Sequence, residues 1–204
     1  INKAEDPRIL PAKELFQEYD KELESDDYVQ ALVILDKVLA IYRSTPGYEH
    51  SYEVGVLLNN MATVYLVELE TKILKEETGE TIDRPSMEKI LTTAADYTRQ
   101  AIAIYENWLA EMGSLSEHEI EQRIKPFFRE DDPAFSKNGP EKYLNKRVKQ
   151  ILDAQLETPR RISVSLTNLG MINRYLGNLD EARDNYETAI RLWDMNYTAQ
   201  DNLA

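Results

Sequence analysis

One repetition constrains this chain more than any other feature of it. Asn168-Leu169-Gly170 returns as Asn202-Leu203-Ala204, 34 residues further on. A fixed period of that size marks a solenoid, whose units bury their apolar faces only by stacking on neighbours. The stretch 162–194 supplies the unit: two helical segments either side of Gly177-Asn178. Glycine tolerates the left-handed conformation that ends a helix, and Asn178 or Asp180 suits the cap of the next one.

Composition agrees with a stacked core. Hydrophobic residues make up 42% of the 204, and only 7 Gly and 8 Pro argue against disorder. That length suits one ordinary domain or about six units of this period. A formal net charge of −13 repels phosphate backbones and anionic membrane surfaces, so a nucleic-acid partner is not expected. The longest uncharged run, 54–67, is too short to span a bilayer, so no direct membrane insertion is expected. Cysteine is absent, which excludes disulfides, thiolate zinc sites and cysteine nucleophiles. Its absence suits an exported bacterial protein, periplasmic or lipid-anchored, and leaves the cytoplasm open. The chain starts at Ile1 and stops within a first-helix pattern, so the array is expected to continue past both ends.

Residues 162–194 resemble one tetratricopeptide repeat. Leu166, Leu169, Gly170, Ala182, Tyr186 and Ala189 carry the resemblance. It implies that Gly170 and Ala182 are small where two helices cross, and Ala189 where the second helix meets the next unit. The pattern departs at Asn173, where the family usually has Tyr, and at Asp194, where Pro is common. Asn59–Tyr65 matches 167–173, with Ala62 at the glycine position; its second helix aligns Ala94 and Ala101 with Ala182 and Ala189. Ala62 to Ala94 is 32 residues against 12 for Gly170 to Ala182, so the extra 20 lengthen both helices about a turn at Thr78-Gly79-Glu80. Thr98 stands where a large aromatic is usual. Asp27–Tyr42 matches the second helix again, after a first helix over Pro11–Glu24. The resemblance thus implies an all-α fold of tetratricopeptide-type hairpins stacked as a right-handed superhelical array, roughly eight helices in one domain over 1–204. Its units are 11–43, 54–110 and 162–194, with a further one starting at 197–204 and an irregular insertion over 111–161. Within that insertion, 126–140 reads as a loop and 141–156 as a helix ended by Pro159.

The resemblance also implies a site. Gln17, Asn60, Asn168 and Asn202 share the position two residues before the small one, which in this family lies near a concave groove. An amide there pairs with peptide N–H and C=O whatever the side-chain sequence; alternatively it bonds to a neighbouring helix. Groove candidates are Asn59, Asn60, Thr63, Thr167, Asn168, Met171, Arg174 and Tyr175. A basic clamp for a terminal carboxylate would need several cations there, and only Arg174 qualifies. The expected function is a non-enzymatic scaffold that holds a protein or peptide partner, or a second copy of itself, without a cofactor.

Three of the four Phe residues, Phe127, Phe128 and Phe135, fall within the Pro-bounded loop. They either pin it to the helices or serve as a hydrophobic anchor or plug. The second use would suit an envelope-associated ligand-binding or transport-accessory protein with a pocket closed by this loop. Residues 137–161 carry seven Lys/Arg against three Asp/Glu, expected to pair with acidic neighbours such as 14–27 or to dock an acidic partner. Catalytic patterns are missing: His50 and His118 are isolated, and there is no phosphate loop or nucleophile elbow.

Overall fold

The computed structural model describes residues 5–77, 79 and 83–203, and the side chains among them except 76, 77 and 196–203. It is all-α. Among the described residues there are seven α-helices: α1 (Leu10–Glu24), α2 (Tyr28–Ser44), α3 (Tyr52–Glu77), α4 (Arg84–Met112), α5 (Glu117–Ile124), α6 (Glu141–Leu176) and α7 (Leu179–Leu203). Local chemistry sets their ends. Asp27 accepts from the Gln30 amide at 3.0 Å and Asp83 from the Ser86 amide at 2.8 Å, satisfying donors that the first turn leaves bare. Ser116 and Glu119 close a reciprocal capping box at the start of α5. Gly177, at φ +84°, ends α6 in the left-handed conformation, and the Asn178 amide donates back to the Asn173 carbonyl at 2.8 Å.

Each long helix packs on the next, α1 on α2, α2 on α3, α3 on α4, α4 on α6 and α6 on α7. The close crossings are built from small residues under aromatic rings. A Cβ on Gly55 of α3 would lie 2.5 Å from the Tyr105 ring of α4, and one on Gly170 of α6 would lie 2.9 Å from the Tyr186 ring of α7. The main core runs through α1 to α4 and includes Ile162, Leu169 and Ile172 from the second half of α6. A second core gathers Trp108 and Met112 from the end of α4, Ile120 and Ile124 from α5, and Tyr143, Leu144, Val148 and Ile151 from the first half of α6.

Four expectations change. Pro159 does not break a helix; α6 runs from Glu141 to Leu176 with Pro159 inside it. The lost amide is outweighed by packing on both sides, since the first half of α6 lies in one core and the second half in the other. Nor does the chain turn before 197: α7 is one helix to Leu203, so Asn202 lies on the same helix as Tyr186 instead of opening a new one. These two continuities leave seven helices where roughly eight were expected. The Asn202 side chain and Ala204 lie outside the described residues, as does most of the turn at Thr78-Gly79-Glu80. Finally, the segment after α5 holds two 3₁₀ turns, Lys125–Phe127 and Pro133–Phe135, and buries Phe128 and Phe135 in the second core.

Candidate functional site

The first helices of the three long hairpins, α1, α3 and α6, meet at a solvent-open cavity of about 370 Å³. Ala12, Lys13 and Phe16 of α1 form one wall, and Tyr52, Glu53, Val56 and Leu57 of α3 the opposite one. Val38 and Tyr42 of α2 and Arg161 of α6 complete the lining. The lining is mainly apolar and aromatic with three charged groups, a composition common to binding sites.

One of those groups belongs to a buried ion pair. Arg147 of α6 donates twice to Glu53, its Nη2 lying 3.1 Å from Oε2. The guanidinium stacks on Tyr48 at 4.3 Å from the ring centre and lies 5.6 Å from that of Tyr52. Burial works to raise the Glu53 pKa, but the adjacent Arg147 charge outweighs it and holds the carboxyl below its ordinary value. Burial likewise opposes the Arg147 charge, and Glu53 overrides it, so the guanidinium stays protonated. Burial, reinforced by Glu53, pushes the Tyr52 hydroxyl above its ordinary range. The pair thus fastens α3 to α6 beside the cavity, which Glu53 lines.

The N-terminal segment adds a second fastening. Glu5 pairs with Lys13 of α1 and, at 3.0 Å, with Lys146 of α6. Burial raises the Glu5 pKa, but these two lysines lower it further, to below its ordinary value. Within the basic stretch, Lys146 thus pairs with Glu5 and Arg147 with Glu53. Asp6 holds Arg8 at 2.8 Å and accepts from the Tyr48 hydroxyl at 3.0 Å. Arg8 in turn donates to the Phe127 carbonyl at 2.9 Å and lies 4.9 and 5.0 Å from the Phe128 and Phe135 ring centres.

That clamp decides the Phe loop. Phe128 and Phe135 are stacked in the second core, with Phe135 also against Tyr143, so neither is presented as an anchor or plug. Phe127 is half-exposed, packs over Gly47, and lines a separate cavity of about 190 Å³ with His50, Trp108 and Arg147. None of the three lines the α1–α3–α6 cavity.

The expected groove residues divide between two places. Asn59 is half-buried and accepts from the Ser165 hydroxyl of α6 at 3.0 Å, which makes it a helix-to-helix contact. Thr63 donates to the Asn59 carbonyl and Thr167 to that of Ser163, each at 3.0 Å. Thr167 and Asn168 line an open cavity of about 350 Å³ between α6 and α7, with Val164, Tyr186, Ile190 and Trp193. Asn60 and Met171 are half-buried and line neither this cavity nor the larger one. Arg174 and Tyr175 are exposed together, the guanidinium 5.3 Å from the ring centre. Gln17 is exposed on α1.

Sequence reasoning missed Phe16, Tyr42, Tyr52, Glu53, Arg147 and Arg161. A usable signal existed for one of them. Arg147 lies three residues after Leu144 and four before Ile151, on the apolar stripe of its helix, where a cation calls for a buried acid. Among the described residues, no helix is long and apolar enough to cross a membrane, and no three His, Cys, Asp or Glu are grouped to hold a metal ion. The chain matches none of the known protein families, and none of the curated proteins it was compared with.

Proposed function

We propose that this chain is a non-enzymatic scaffold of the tetratricopeptide type. In this reading α1/α2, α3/α4 and α6/α7 are three stacked hairpins of a right-handed superhelical array. Their concave side holds a protein or peptide partner, or a second copy. The observation that carries the proposal is the open cavity to which α1, α3 and α6 all contribute. First helices that converge on one face create a shared, continuous surface, as a groove binder requires. The Gly170–Tyr186 crossing and the left-handed cap at Gly177 support the same hairpin register. Phe16, Tyr42 and Val56 would seat an apolar side chain of the partner, while Asn60, Thr63, Asn168, Met171, Arg174 and Tyr175 would meet its backbone and flanks. Helices already fixed by the Glu53–Arg147 and Glu5–Lys146 pairs lose little further freedom on binding.

The test is affinity capture from the native organism, read by mass spectrometry, with three baits. The unaltered chain should retain a defined set of proteins. Val56→Trp, which fills the cavity, should lose it. Asn60→Ala combined with Asn168→Ala should weaken retention, with little change in the thermal midpoint. If both variants capture the same proteins as the unaltered chain, the groove reading fails.

A further inference from the structure

The cavity between α1, α3 and α6 contains two cations and one anion, but they are not equivalent. Lys13 is neutralised by Glu5, and Glu53 by the bidentate Arg147. Arg161 alone lacks a counter-charge: among the described residues, no carboxylate forms an ion pair with it. Its Nε is buried without a hydrogen-bond partner. The Tyr105 hydroxyl faces it, but a neutral phenol does not compensate a guanidinium. A half-buried cation that lines an apolar slot and has no carboxylate partner is stabilised by an anion that enters the slot.

We propose that this cavity binds a small carboxylic acid with an apolar body, its carboxylate on Arg161 and its body between Phe16, Tyr42, Tyr52 and Val56. The planar guanidinium fork matches a carboxylate and fixes its orientation. A doubly charged phosphate is disfavoured, because Arg161 offers it only one positive charge and the chain carries a net charge of −13. The volume of about 370 Å³ lies near the lower end of the roughly 300–1,000 Å³ typical of small-molecule sites, which favours a compact aromatic or branched acid. The site goes beyond the scaffold reading and does not depend on it, since it requires no protein partner.

Isothermal titration of the purified chain decides the matter, with phenylbutyrate, phenylbutanol and phenylbutylamine as probes at neutral pH and low salt. The acid is expected to bind at least about tenfold tighter than the alcohol, and the amine more weakly than either. Arg161→Gln should erase the preference for acid over alcohol. Val56→Trp, which keeps the cation but fills the slot, should lose both ligands. Equal affinity for acid and alcohol, or no binding of any probe, overturns the proposal. So does a folded Arg161→Gln chain that binds the acid as tightly as the unaltered one. The comparison of acid with alcohol uses the unaltered chain, so it decides even if a variant fails to fold.

Discussion

The second helix of one hairpin, α4, and that of another, α7, carry the same register of apolar residues in different surroundings. Aligning Ala94 and Ala101 with Ala182 and Ala189 sets Leu91 over Leu179, Ile102 over Ile190 and Tyr105 over Trp193. On α4 these residues are 2%, 8% and 2% exposed; on α7 their counterparts are 65%, 61% and 41% exposed. The cause is a neighbour. Helix α6 lies on α4, whereas no described helix lies on the equivalent face of α7. Periodicity therefore settles which residues are apolar, and the next element in the stack settles which are buried. The same apolar stripe supplies core on one helix and the wall of an open cavity on the other.

The widest contrast lies at the aligned aromatics. Tyr105→Ala should cost about 3–5 kcal/mol, because a fully enclosed ring leaves a cavity that the fixed surroundings do not refill. Trp193→Ala should cost only about 0.5–1 kcal/mol, the scale of its exposed stacking with Arg160, whose guanidinium lies 5.0 Å from the ring centre. Urea denaturation of the two variants measures both. Equal costs would break the comparison, by showing that the α7 face is covered in solution.

The two tight crossings sharpen it on a smaller scale. Alanine in place of glycine within a helix gains about 1 kcal/mol from propensity. Against that, Gly55→Ala drives a Cβ to 2.5 Å from the Tyr105 ring, which is walled in on all sides, so overpacking of about 1–3 kcal/mol should outweigh the gain. At Gly170 the contact is 2.9 Å and the Tyr186 ring is half-buried beside the open cavity, so it has room to swing. Gly170→Ala should therefore stay within about 0.5 kcal/mol of the unaltered chain, while Gly170→Leu, too large for that adjustment, should cost about 1–3 kcal/mol. Melting curves in which Gly170→Ala is the more damaging of the two alanine variants would reverse the ranking of the two hairpins.

These crossings also show what was legible beforehand. Helix positions followed from the 3.6-residue period and from end signals such as Gly177, because both act within a few residues of themselves. Thr98 stands where the resemblance implies a large aromatic. The aromatic is Tyr105, two turns further along α4, and its matching gap is Gly55, two turns earlier on α3. Large-over-small pairing was conserved as a physical requirement while its place moved, and position-by-position alignment does not register such a shift. Pro159 misled for a related reason: local cost predicted a break, and packing of α6 in two cores overrode it. The cavity was least legible of all. Phe16, Glu53 and Arg161 come from three helices that are far apart in sequence, and no local pattern connects them.

The smallest expected effect isolates one hydroxyl. Burial pushes the Tyr105 pKa up to about 12 from an ordinary 10.0, against the opposing influence of Arg161. Below pH 10 the hydroxyl is protonated in both folded and unfolded chains, so it adds no pH dependence. Above pH 10 the unfolded chain loses the proton first, and stability falls until the folded hydroxyl ionises near 12. One such group accounts for about 1 kcal/mol per pH unit in that window. Tyr42, Tyr48 and Tyr52 are raised as well, so the whole chain should lose stability more steeply than Tyr105 alone requires. Tyr105→Phe should remove one share of that slope between pH 10 and 11, whereas Trp193→Phe, at the aligned position on α7, should leave the slope as it was. Denaturation midpoints followed across this range read the difference directly. A slope unchanged by Tyr105→Phe would mean that water reaches the hydroxyl in the folded chain, and that α4 is less enclosed by α6 than its neighbours indicate.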